Sequence, residues 1–120
     1  MSKSSVEFEE FKEAFTEYQK RFGLNGYKVY FKYESVEGSF ATIIVNQRDM
    51  VATVTLNSNV PKKDIPFRDI KGNAKHEAIH LLIWKLYDRA KSRYVLEDEL
   101  YEVNEELVRK LEGLIGDLKK

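Results

Sequence analysis

His76 and His80 are the only histidines of the chain, four residues apart in "HEAIH" (76–80), and Glu77 directly follows the first of them. On a helix, residues i and i+4 stack on one face about 5–6 Å apart at Cβ. Two imidazoles so placed both reach one Zn²⁺ at about 2.0–2.1 Å. Glu77 sits about 100° further around the helix, poorly placed to be a third ligand but able to reach a water on the metal's open position. That is the placement of a general base acting on metal-activated water, and the reaction it suits is amide hydrolysis. The metal acidifies the water and polarises the carbonyl; Glu77 takes the proton and passes it to the leaving amine.

Two histidines placed at random fall four apart in about 1.6% of such chains, and with fourteen glutamates the next residue is Glu in about 12%, so the pattern arises by chance in about 0.2%. The competing reading is two structural histidines on a partly buried helix, whose apolar face Ile79, Leu82, Ile83 and Leu86 already supply.

With no cysteine in the chain, disulfides, thiolate ligands and cysteine nucleophiles are excluded. Any metal therefore falls to His, Asp, Glu or backbone oxygens. Lys and Arg number 20 against 20 Asp and Glu, so no global field draws the chain to nucleic acid or anionic lipid. The basic stretches "VPKKD" and "KSR" are too small to argue nucleic-acid binding. At 42% hydrophobic and 33% charged, the composition is that of a globular chain, and 120 residues suggest one domain over 1–120. The N-terminal "MSKSSVEFEEFKEAF" is acidic and has no apolar h-region, and no apolar run approaches the length of a membrane span. The expected location is cytoplasmic.

Around the histidines, the elements follow from periodicity. Phe8, Phe11, Phe15, Tyr18 and Phe22 recur at steps of three and four, which predicts a helix over 5–22 with a buried aromatic stripe, stopped by Gly23. "YKVYFKY" (27–33), "FATIIVN" (40–46) and "MVATVTLN" (50–57) read as three strands in a mainly antiparallel meander. "SNVPKKDIPF" (58–67) reads as a loop. Asp69 is a plausible N-cap for one helix running to about residue 91, followed by a break near Ser92-Arg93-Tyr94. A last helix fits 97–120, with Leu100, Val103, Leu107, Leu111, Leu114 and Leu118 as its core stripe. The class is α+β.

"HEAIH" matches the HExxH signature of the zincin metallopeptidases. The layout of helix, short sheet, HExxH helix and closing helix is similar to the minimal zincin core of minigluzincins and of small SprT-like or phage-encoded metallopeptidases. The resemblance covers nearly the whole chain in layout and residues 76–80 in sequence; the apolar "HLLIW" is also typical of these proteins. It implies a zinc-dependent peptidase acting on a peptide or protein substrate, with His76 and His80 as ligands and Glu77 as general base. It also implies a third ligand, in gluzincins a Glu on the following helix.

The residues constrain that third ligand. Residue 83 is Ile and residue 86 is Leu, so an HExxHxxGxxH extension is absent. A carboxylate of the last helix is the natural choice among Glu97, Glu99, Glu102, Glu105 and Glu106. Antiparallel pairing puts residues 76–80 level with about 105–111, which disfavours Glu97 and Glu99, and Glu102 points away from the leucine stripe. Glu105 and Glu106 flank that stripe on opposite sides, and Asn104 lies nearer its centre than either. The phage-type pattern E-x-x-V-x-x-L, met here by Glu105, Val108 and Leu111, favours Glu105, with Glu106 second.

Zincins commonly bind substrate as an added strand, which "FATIIVN" or "MVATVTLN" could pair with. Tyr101 is a candidate oxyanion donor, although a half-buried core role fits it more simply, and Trp84 reads as a core anchor. The alternative function is a non-catalytic metal-binding or interaction protein on the same framework.

Overall fold

The computed structural model describes residues 3–91 and 96–118. Helix α1 (Lys3–Arg21) leads into strands β1 (Lys28–Glu34), β2 (Ala41–Asn46) and β3 (Val51–Asn57). A 3-10 turn over Lys62–Phe67 precedes α2 (Ile70–Leu82), α3 (Trp84–Lys91) and α4 (Glu97–Leu114). The α+β class and the order of helix, three strands and closing helix match the sequence reading. The expected break at 92–94 and the chain end at 119–120 lie outside the described residues. Among the described residues no helix is long and apolar enough to cross a membrane.

The aromatic stripe of α1 is buried on β1. Phe11 and Phe15 both meet the Phe31 ring edge-on, at centroid separations of 6.4 and 5.6 Å, and Phe8 stacks on Tyr33 at 5.2 Å. Each fully buried aromatic contributes about 1.5–3 kcal/mol, and Phe15→Ala would cost about 3–5 kcal/mol.

The sheet is not the expected meander. Its order is β1-β3-β2, with β1 parallel to β3 (Lys28↔Val51 to Glu34↔Asn57) and only β2–β3 an antiparallel hairpin (Ala41↔Leu56 to Asn46↔Val51). The reason lies in the strands' own patterns. β3 buries Ala52, Val54, Thr55, Leu56 and Asn57 and tolerates cover on both faces, so it takes the centre. β1 alternates exposed Lys28, Tyr30, Lys32 and Glu34 with inward residues, as a charged edge strand does. β3 is therefore unavailable for strand addition, and β2 is the edge left on its side. The Asn57 amide donates to the Phe40 carbonyl at 2.9 Å. By ladder alternation, the peptide groups of Ala41, Ile43 and Val45 then face outward from β2.

Asn57 also shapes the segment before β2. Its Nδ2 donates to the carbonyls of Val36 and Ser39, both at 2.8 Å, and its Oδ1 accepts from the amides of Val36 at 3.1 Å and Asn59 at 2.9 Å. Gly38, at φ +77°, makes the turn that brings this segment round.

Asp69 caps α2 as expected, accepting from the Gly72 amide at 3.0 Å. A Cβ at residue 72 would lie 2.3 Å from the Asp69 carboxylate, so glycine there makes room for the cap. The helix then buries Ala74, Ala78, Ile79 and Leu81. The single helix expected to residue 91 instead breaks at Ile83, and Leu82 and Leu86 turn outward, the latter 65% exposed. Small Ala74 and Ala78 let α1 approach closely, and of the expected apolar face Ile79 is fully buried while Leu82 and Leu86 are not.

Helix α4 differs in rotation and in length. It ends at Leu114, and it buries Asn104 and Val108 while Val103 is 62% exposed. The inward face is thus centred one residue, about 100°, from the leucine stripe. Polar groups meeting the α2 histidines occupy part of that face.

Candidate metal centre

Residues i, i+3, i+4 and i+7 of a helix share a face. On α2 these are Asn73, His76, Glu77 and His80, and all four line one cavity of about 530 Å³. One wall of the cavity is the chain over residues 38–43, from the Asn57-pinned turn into β2. The imidazoles meet edge-on, with their Nε2 atoms 3.2 Å apart.

Helix α4 brings the third group. Glu105 places Oε2 2.7 Å from His80 Nε2 and Oε1 3.4 Å from His76 Nε2. One ligand atom from each of His76, His80 and Glu105 lies within 4.8 Å of the others, and this group could hold a metal ion. Two imidazole nitrogens and a carboxylate oxygen form a donor set that first-row divalent ions accept.

The far side of each imidazole is also occupied from α4. The His76 Nδ1 meets a Glu112 carboxylate oxygen, and the Asn104 carboxamide lies 3.4 Å from His80 Nδ1. A partner at Nδ1 orients the ring and directs Nε2 to the common centre. Lys75, buried one residue before His76, donates from Nζ to the carbonyls of Glu112 at 2.7 Å and Ile115 at 2.6 Å, and to Asp117 Oδ1 at 3.0 Å. It thereby satisfies carbonyls that the end of α4 leaves without helical partners.

The charged groups perturb one another. Glu77 is only 6% exposed, and burial holds its carboxyl well above the usual carboxylate range, with the charges of Glu105 and Glu112 pushing the same way. Burial lowers the His80 imidazole to about 4; the charge and hydrogen bond of Glu105 oppose this and His76 adds to it. A cation at the common centre would stabilise the ionised form of Glu77.

The sequence candidates separate cleanly. Glu105 stands in the cluster. Glu106 is exposed and pairs with Lys110 at 3.7 Å, away from the histidines. Asn104 is inward but sits behind His80, and Glu97, Glu99 and Glu102 are exposed. Tyr101, expected in the core, is 58% exposed at the cavity, and Trp84 lines that cavity while packing on Tyr87 at 5.6 Å. Sequence reasoning did not find Glu112, Lys75 or Asn73. Glu112 follows Glu105 by seven residues, two helical turns, and that spacing was its available signal. Asn73 carried a similar one, four before Glu77; a lone lysine inside "NAKHEAIH" carried none.

Comparisons with protein-family models, with curated proteins and with solved structures each return no match.

Proposed function

We propose that the chain is a zinc-dependent metallopeptidase of minimal zincin-like architecture. One observation carries this reading: His76, His80 and Glu105 bring three ligand atoms together beside a buried Glu77, in a cavity walled by an edge strand. Two nitrogens and one oxygen match the ligand set of catalytic zinc sites, and zinc bound there would supply a Lewis acid and an acidified water. Glu77 acts as general base, taking the proton of the attacking water and delivering it to the departing amine. Bound zinc would hold Glu77 in the ionised form that a base needs, against the burial that favours its protonated form. The outward peptide groups of Ala41, Ile43 and Val45 pair with an extended peptide or protein segment as an added strand.

A second reading, a non-catalytic metal-binding or interaction protein, draws on the pairing of His80 with Glu105 and of His76 with Glu112, which satisfies these groups within the chain. A quenched-fluorescence peptide library separates the two. The first reading expects cleavage by zinc-loaded protein, lost in Glu77→Gln while zinc stoichiometry stays near one. Zinc bound at that stoichiometry with no cleavage of any library member favours the second.

A further inference from the structure

We infer that Asn73 is a substrate-backbone contact of this site, its carboxamide pairing with a peptide group of the bound substrate; the inference rests on the peptidase reading above. Asn73 Nδ2 is the only buried side-chain nitrogen or oxygen among the described residues that finds no hydrogen-bond partner. A buried N–H left without an acceptor bears its full desolvation cost, so a folded chain rarely keeps one. Other inward carboxamides contrast with it: Asn57 makes four hydrogen bonds, Gln19 makes two and Asn104 lies against His80.

Asn73 lines the same cavity as the metal-ligating group, and it precedes Glu77 by one turn on the same face of α2. The terminal torsion of an asparagine is broad and roughly two-fold, so a carboxamide that no hydrogen bond holds turns readily. Rotation then presents an N–H donor and a carbonyl acceptor to the cavity. A peptide group offers the complementary pair. An extended substrate that pairs with β2 through alternate residues turns the peptide groups of the others to the opposite side, towards α2. Four helical residues span about 6 Å, close to two residues of a strand, so Asn73 meets the backbone one or two residues from the bond next to Glu77. Recognition of backbone rather than side chain makes this contact tolerant of substrate sequence at that position.

Two probes test it on zinc-loaded protein: acetohydroxamate, which reaches only the metal, and N-acetyl-trialanine hydroxamate, which adds a peptide backbone. Asn73→Ala is expected to weaken the peptidyl probe about tenfold, while acetohydroxamate and zinc affinities stay within about twofold. Asn73→Ser, a smaller change to the fold, is expected to act in the same direction. The metal-free melting temperature of Asn73→Ala should not fall, because the buried Nδ2 makes no hydrogen bond that could be lost. An unchanged peptidyl affinity in both variants, or an equal loss for both probes, overturns the inference and leaves the peptidase reading standing. If neither hydroxamate binds zinc-loaded wild-type protein, the peptidase reading falls and the inference falls with it.

Discussion

Lys75 donates to the Glu112 carbonyl at 2.7 Å, and the Glu112 carboxylate in turn meets Nδ1 of His76, the residue after Lys75. Two neighbours on α2 thus grip one residue of α4, one by its backbone and one by its side chain. This fixes the register of the helix that carries Glu105 against the helix that carries the histidines. Removing an outer-shell partner of a metal-binding histidine typically lowers metal affinity 10–100-fold, and Glu112→Ala should weaken zinc by about that range. Competition with a chromophoric chelator measures it. Lys75→Met strips the last-turn carbonyls of their buried donor and should cost about 1–3 kcal/mol in urea unfolding, with a parallel loss of zinc affinity as Glu112 loosens.

The three neighbouring α4 residues predict three different outcomes. Glu105→Ala removes the proposed third ligand and should abolish tight zinc binding. Asn104→Ala removes only the group behind His80 and should cost about tenfold in zinc affinity. Glu106→Ala should match wild type, since its exposed carboxylate pairs with Lys110, away from the histidines. Zinc at about 100 times its Kd should raise the wild-type melting temperature by about 10 °C, a shift absent in Glu105→Ala. Metal lost in Glu106→Ala but retained in Glu105→Ala would reverse the ligand assignment.

The sequence made the α+β class legible through strong local periodicity: four aromatics at helical spacing on α1 with Phe22 just past its end, and three β-rich runs. What it hid was set by non-local preference. The parallel pairing of β1 with β3 depends on which strand best tolerates burial on both faces, a comparison between strands that no single run displays. His76, Glu77 and His80 were legible because one helical turn dictates their geometry. Glu105 needed the rotation of α4, and the leucine stripe misplaced that rotation because Asn104, not a leucine, faces His80. The partners of Glu112 and Lys75 lie 36 and 37 residues away along the chain, beyond any local pattern.

Asn57 shows how far from the histidines the cavity is built. Its carboxamide makes three hydrogen bonds to Val36 and Ser39, in the segment that leads into one cavity wall, and accepts a fourth from the Asn59 amide. Asn57→Ala leaves those backbone groups to find new partners and should destabilise the fold by about 2–4 kcal/mol. Hydrogen exchange at the amides of residues 36–39 should accelerate more than at those of α1. Zinc affinity should change little, because no ligand touches Asn57. A uniform rise in exchange across the chain, with no excess at this segment, would count against a local role.

Glu77 makes the metal-free protein's stability depend on pH in a predictable direction. Its folded-state pKa lies above its ordinary value of 4.5, so the stability it contributes is fully present below about pH 4.5 and is lost as pH rises through the folded value. His80 acts oppositely. Lowered from 6.5 to about 4, it contributes stability that is present above pH 6.5 and is lost as pH falls towards 4. Glu77→Gln removes the first effect and leaves the second. The melting temperature of the variant minus that of wild type, both metal-free, should therefore grow as pH rises above about 4.5 and level off once the folded-state value is passed. Zinc should reverse the balance, because a cation favours the carboxylate and expels its proton. Calorimetry in buffers of different ionisation enthalpy should then find more protons released on zinc binding by wild type than by Glu77→Gln. Equal proton release from the two proteins would show that Glu77 does not sense the metal, and the general-base role would fail with it.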